Sequence, residues 1–418
     1  MRKFSTSEFS KNVITLLSGT TIAQAVPILI SPILTRLYTP EEFGLLALFT
    51  SLSFILGAIA NGCYEFAVIL PKKDSDAINI AVLGALIAFV FSILLLVTVI
   101  VFNKPISTIL GNVEFSLWLY LVPVSVLAIS WFNIFSYYNV RIKQYRNIAK
   151  ANIIKAMVLA IIQVSLGFAK VGTAGLISGQ LASFFSGNYK LSTKILKKSK
   201  LFSYKRMKLM GKRYIDFPKF MLWSTLANTL SIHVSNIFIN IIYSSKTLGF
   251  FSLANRTLGM PSSLIGSSIG QVFFQQASIE YQKYNNTKKI FVSTLKKLII
   301  IGIPIFTLIF FFIEDAIALI FGEIWRITGL YCKILTPMFF IRFVSGSLSS
   351  ILNIFEKQKI ALLINLTLLF SIIVILFTAN FLNLGFEKIL FYWSITLSIE
   401  YSLFILIYYR LSNGKKVY

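Results

Sequence analysis

Apolar runs of about twenty residues recur along the whole 418-residue chain, and nothing else constrains its fold as tightly. A helix of that length spans the ~30 Å hydrocarbon core of a bilayer, where water cannot satisfy backbone N–H and C=O groups. Only 13% of the residues are charged and 56% are hydrophobic, against about 25% charged in a soluble domain. The reading is an all-α, polytopic membrane protein. About twelve transmembrane helices are expected, at 12–35, 43–66, 77–102, 115–138, 149–169, 171–189, 217–243, 247–277, 291–313, 328–352, 359–382 and 386–409. The first run resembles a secretory signal, but it continues without a break into PILISPILT and is read as a retained span.

Charge sets the orientation. The net charge is +25, yet the basic residues form short loop clusters without stacking aromatics, so nucleic acid is not the expected partner. With both termini cytoplasmic, the inner segments hold 30 Lys and Arg, the outer segments hold seven, and three lie within spans. The positive-inside rule then holds at every loop pair except one near-tie.

A repeat divides the chain. LTRLYTPEEFGLLAL at 34–48 is similar to INIIYSSKTLGFFSL at 239–253, an offset of 205 that aligns Tyr38 with Tyr243 and Gly44 with Gly249. We therefore expect two six-helix halves, 1–194 and 216–418, around a central cavity, joined by a basic cytoplasmic linker at 195–215.

Helical spacing picks out the stretch SLANRTLGMPSSLIGSSIG. Ser252, Arg256, Gly259, Ser263, Gly266 and Gly270 share one face, with Arg256 near mid-membrane. A guanidinium there costs about 3 kcal/mol unless it meets a partner or water. Arg256 is either locked to a neighbouring helix or lines a path for an anion, and the second reading is preferred. The 205 offset lays this stripe over Ala47, Ser51, Phe54, Ala58, Asn61 and Glu65. Arg342 and Glu400 are equally deep. Lys155, about 9 Å past Ala149, reads first as a snorkelling side chain and second as a cavity residue.

Gln24 belongs to a polar face on span one, and Asn228, His233 and Asn236 to one on span seven. Single hydroxyls and amides are ordinarily interhelical hydrogen-bonding groups, but the combined faces favour a wet cavity. The candidate substrate-binding residues are thus Arg256, Arg342, His233, Asn228, Asn236, Gln24 and Lys155, with Glu65 and Glu400 as candidates for ion coupling. Glu400 has an equal alternative as a fixed ion-pair partner of Arg342 or Arg256. Two cysteines and one histidine make no metal set, and no P-loop or nucleotide fingerprint is present. No metal or cofactor is expected, and a transporter is favoured over an enzyme.

The stretch NVITLLSGTTIAQAVPILISPILTRLYTPEEFGLLALF, with FILGAIANGCYEFAVILPKKDSDA after it, resembles the Wzx-type polysaccharide flippases of the multidrug/oligosaccharidyl-lipid/polysaccharide exporter superfamily. Arg36 to Gly44 and Tyr64 to Pro71 carry the resemblance best. It implies flipping of an undecaprenyl-pyrophosphate-linked oligosaccharide, an O-antigen or similar unit of lipopolysaccharide biosynthesis, across the bacterial inner membrane by alternating access. It also implies a polysaccharide polymerase and a chain-length regulator as partners. A multidrug exporter of the same superfamily is the alternative, and a membrane-embedded polysaccharide enzyme a weaker one.

Overall fold

The computed structural model describes residues 6–196 and 201–414. Part of the expected linker, 197–200, lies outside the described residues, as do Arg2, Lys3, Lys415 and Lys416 of the charge count. Among the described residues every regular element is a helix. In chain order these are α1 (Thr6–Leu37), α2 (Pro40–Gly57), α3 (Tyr64–Ala67), α4 (Asp74–Ile109), α5 (Ser116–Leu119), α6 (Val122–Arg141), α7 (Tyr145–Phe168) and α8 (Thr173–Leu196). Next come α9 (Tyr204–Arg213), α10 (Leu222–Ile242), α11 (Ser245–Pro261), α12 (Ser267–Tyr284), α13 (Lys288–Phe321) and α14 (Arg326–Leu348). The last three are α15 (Ile351–Ile354), α16 (Gln358–Phe381) and α17 (Phe386–Ser412).

Nine of the described helices are long and apolar enough to cross a membrane, or ten if α5 and α6, bent by 47°, form one span. The expected spans at 171–189 and 247–277 are helical but are not among these. Large apolar side chains point outward: Leu94, Val101, Phe312 and Phe377 are all more than 60% exposed. In water such surface would be costly, and in a bilayer it is the solvent-facing surface.

The chain packs as two compact units, Met1–Ser245 and Lys246–Tyr418. The boundary falls one span later than the expected linker. Contacts of α10 with the first unit include two polar ones: the Asn236 carboxamide donates to Ser51 Oγ of α2 at 2.9 Å, and Asn240 Nδ2 donates to the Leu110 carbonyl at 2.7 Å. Both bonds tie α10 to the first unit.

In the first unit α2 is the interior helix, with 61% of its residues buried against 17% of the best apolar window of α4. Its start is fixed locally. Thr39 caps it, Pro40 occupies the first turn, and Glu42 returns a bond to the Thr39 N–H at 2.8 Å, completing a capping box. These contacts explain why Tyr-Thr-Pro-Glu-Glu at 38–42 turns the chain between α1 and α2. Gly44 has no room for a side chain, since a Cβ there would sit 1.8 Å from the Ser245 carbonyl oxygen. Tyr38, between α1 and α2, donates to the Gln163 carbonyl at 2.7 Å. Burial, with Glu42 nearby, pushes its phenol up to about 12, so it stays a neutral donor.

In the second unit α14 is the interior helix, and α13 and α17 pack along it. Phe343, Leu335 and Trp325 are almost wholly buried there.

Candidate functional site

Each unit holds a cluster of the expected residues. In the first, the Lys155 ammonium of α7 does not snorkel. It lies 3.8 Å from the centroid of the Phe132 ring on α6 and 4.2 Å from that of Phe184 on α8. Among the described residues it makes no ion pair, so two ring quadrupoles hold the charge without neutralising it. Phe184 meets Phe54 edge to face at 6.0 Å, and Phe54 stacks on His233 at 5.4 Å. Lys155 and His233 therefore stand at the two ends of one aromatic row. Asn236 follows on the next turn of α10, already engaged with Ser51. This is an interhelical bond of the kind expected as the alternative for a single carboxamide.

The stripe expected on α2 does not run to Glu65. The helix ends at Gly57, and the chain turns through Gly62 and Cys63, both with left-handed φ (65° and 58°), before the single turn of α3. Asn61 and Glu65 consequently leave the helical face that carries Ser51 and Phe54. Glu65 is 3% exposed and Asn61 is fully buried. Their side chains are neighbours, but Glu65 Oε2 and Asn61 Nδ2 are out of hydrogen-bonding geometry. Gln24 and Asn228 are exposed, and among the described residues neither side chain makes a hydrogen bond.

In the second unit the Arg256 stripe is interrupted. Pro261 has no N–H to donate, and the helix loosens into a π turn at Ser262–Gly266 before resuming as α12. The two ends of the stripe then do different things. A Cβ on Gly266 or Gly270 would meet Ser347 at 2.9 or 3.0 Å, so these glycines form a close seam with α14. Arg256 itself is half-buried in α11.

The loosened turn and α14 line a cavity of about 470 Å³. Arg342 lines it with Gln271, Asn353, Ser262, Ser267, Ser347 and Ser350, and with Gly266, Gly270 and Gly346. Its guanidinium lies 5.4 Å from the Phe339 ring centroid, and among the described residues it makes no ion pair. Tyr401 lies within electrostatic reach of both Arg342 and Glu400. The Glu400 carboxylate accepts from Ser371 through Oε1, while its buried Oε2 has no hydrogen-bond partner. The fixed ion pair expected as its alternative is not formed with Arg342.

Gln271, Ser350, Asn353, Ser371 and the ring pair around Lys155 were not singled out in the sequence. Ser350 and Asn353 follow Arg342 along one polar run, GSLSSILN, which was a usable signal. The rings carry none, because nothing marks which phenylalanines approach a given lysine. Among the described residues no three His, Cys, Asp or Glu side chains gather as metal ligands. Cys63 and Cys332 are buried free thiols.

Lipid-facing helices and interior polar clusters define an all-helical, multi-pass membrane fold. That fold is similar to two solved structures. One is an inward-facing multidrug resistance MATE transporter of the MOP superfamily (TM-score 0.69, 14% identity, 95% of this chain and 93% of that one). The other is the lipid II flippase MurJ in an inward closed conformation (TM-score 0.69, 15% identity, 96% and 89%). The chain belongs to the polysaccharide biosynthesis protein family, whose model matches residues 33–328. It is also similar to the succinoglycan biosynthesis transport protein ExoT of Rhizobium meliloti (strain 1021), 23% identical over 327 residues. The match takes in 75% of this chain but only 64% of that relative's length.

Proposed function

We propose that this chain is a flippase that moves an undecaprenyl-pyrophosphate-linked oligosaccharide from the inner to the outer leaflet of the bacterial cytoplasmic membrane. The observation that carries the reading is the treatment of the deep cations. Lys155 is held by rings and Arg342 stands beside the Phe339 ring in a cavity it shares with serines, Gln271 and Asn353, and neither is neutralised by a carboxylate among the described residues. A migrating diphosphate needs such charge, because charge-assisted hydrogen bonds to Arg and Lys replace its hydration. Hydroxyls and carboxamides suit a sugar. The family and the named transport relative support the same reading, with transport rather than catalysis as the activity.

Orientation with both termini cytoplasmic, rocking of two six-span repeats joined by the 195–215 linker, and a role for Arg256, Gln24, Asn228 and His233 along the path belong to this proposal. So does gradient coupling through Glu65 or Glu400, and assembly with a polymerase and a chain-length regulator. Export of cationic drugs fits less well, since Lys155 and Arg342 would repel the cargo.

Reconstituted vesicles test the reading. Headgroup flipping of a polyprenyl-diphosphate sugar should require Arg342 and Arg256, and Arg→Lys should restore part of what Arg→Ala removes. Full flipping by both alanine variants would refute it.

A further inference from the structure

We infer that α9 is a docking surface for anionic phospholipid headgroups of the inner leaflet, resting on the cytoplasmic orientation proposed above. The helix reads YKRMKLMGKR, and its two faces have different tasks. Met207 and Met210 are buried, and Met210 joins a core with Tyr64, Ile78, Ile80 and Tyr138. The opposite face presents Lys205, Leu209 and Lys212 at helical spacing, with Lys208 and Arg213 beside them, all exposed.

The helix is fastened where α4 enters the membrane. Asn79, fully buried in the second turn of α4, donates to the Leu201 carbonyl at 3.1 Å and accepts from the Ser203 N–H at 2.9 Å. Arg206 reaches Ser75 Oγ at 2.5 Å and Asp76 at 3.6 Å, and the Tyr64 hydroxyl donates to the Gly211 carbonyl at 3.0 Å. The first turn of α4 carries Asp74 and Asp76 ahead of its apolar run, and carboxylates belong at the water side of the ~30 Å hydrocarbon core. The first turns of α4, and α9 with them, therefore stand at headgroup level.

Two features identify the occupant. Lys205, Lys208, Lys212 and Arg213 have no acidic partner among the described residues, whereas Arg206 has one. Set among them are exposed apolar side chains, Leu209 at 59% and Tyr204 at 69%, with Phe202 at 45% just before the helix. A linker facing only water has no use for those rings. A basic helix with interspersed apolar side chains at headgroup level matches an anionic lipid surface, in which the apolar groups enter the acyl boundary and the ammonium groups meet phosphates.

The test uses the full chain in mixed phosphatidylcholine and phosphatidylglycerol nanodiscs, with native mass spectrometry counting the lipids retained. Phosphatidylglycerol should be retained preferentially. Each Lys→Gln change at 205, 208 or 212 should weaken retention about fivefold, and 1 M salt, with a ~3 Å screening length, should abolish the preference. The melting temperature of the triple variant should stay that of wild type, since these side chains point away from the core. Unchanged phosphatidylglycerol retention by the folded triple variant would overturn the inference. So would displacement of the lipid by equimolar polyprenyl diphosphate, which would make the face a loading site for substrate, or an unfolded triple variant, which would make the lysines structural. Absence of flipping would refute the proposed function but would leave lipid retention intact, so the two failures are distinguishable.

Discussion

Replacing Lys155 with methionine separates a structural cation from a transporting one. The side chain keeps its length and loses its charge. Each ring contact, at 3.8 and 4.2 Å, contributes about 0.5–2 kcal/mol, so the pair stabilises the ammonium by about 1–4 kcal/mol. Holding a charge at membrane depth costs about 3 kcal/mol at the centre and less towards the interface. The two nearly cancel, and methionine itself makes favourable contacts with rings. Lys155→Met should therefore change stability by no more than about 1 kcal/mol, read as melting temperature in detergent.

Transport should behave differently. A diphosphate charge about 4 Å from the ammonium gains about 4 kcal/mol at an effective dielectric near 20, so even a fraction of that term is worth more than tenfold in rate. We expect headgroup flipping in vesicles to fall at least about tenfold in Lys155→Met and to recover partly in Lys155→Arg, whose guanidinium stacks well on rings. Wild-type flipping by a folded Lys155→Met protein would remove this lysine from the substrate path. A large loss of stability would show that the ammonium holds α6, α7 and α8 together.

Other substitutions probe the rest of the molecule. Glu400→Gln should keep its bond with Ser371 and retain substrate binding while losing any response of flipping to an imposed proton gradient; an unchanged response would leave Glu65→Gln as the variant to measure. Gly44→Ala should destabilise the first unit by about 1–3 kcal/mol, read as a lower melting temperature, because its Cβ would fall 1.8 Å from a backbone oxygen. Tyr38→Phe should cost about 1 kcal/mol by removing the buried hydrogen bond to the Gln163 carbonyl. In wild type the Tyr38 pKa is raised on folding, so the folded state holds its proton longer than the unfolded chain. Its contribution is complete below about pH 10 and is lost as pH rises towards about 12, and Tyr38→Phe should abolish that alkaline step in a melting-temperature series.

The helical fold and its membrane setting were legible because they follow from local composition. Hydrocarbon allows an apolar twenty-residue run little except a helix. The capping box at Thr39 and Glu42 is equally local, although it was not read from the sequence. What escaped depends on groups far apart in sequence, or on a backbone exception. Asn61 and Glu65 keep helical spacing on paper, and only the left-handed turn at Gly62 and Cys63 takes them off the α2 face. Pro261 was visible inside the Arg256 stripe, but not the π turn that follows it and opens space beside Arg342. The depth of Lys155 suggested a snorkelling side chain, and its inward direction comes from Phe132 and Phe184 on other helices. The place of α10 in the first compact unit was not legible because Asn236 and Asn240 bind residues 185 and 130 positions away.

The choice of partners for the intramembrane charges bears on mechanism. A carboxylate beside Lys155 or Arg342 would stabilise either cation, but it would also cancel the charge an incoming anion needs and would have to be displaced before binding. Rings do neither. The quadrupole that holds Lys155 is worth a couple of kcal/mol per ring, well below a dehydrated ion pair, so the ammonium is positioned while its field remains available. Glu400 shows the same economy with opposite sign. It is held by a serine hydroxyl, a neutral donor, and its second oxygen is left without a hydrogen bond. A proton can join that oxygen without breaking an ion pair. On the proposed function, charges fixed by neutral partners would be neutralised and released repeatedly by a passing anion or proton, which permanent ion pairs at the same positions would resist by several kcal/mol.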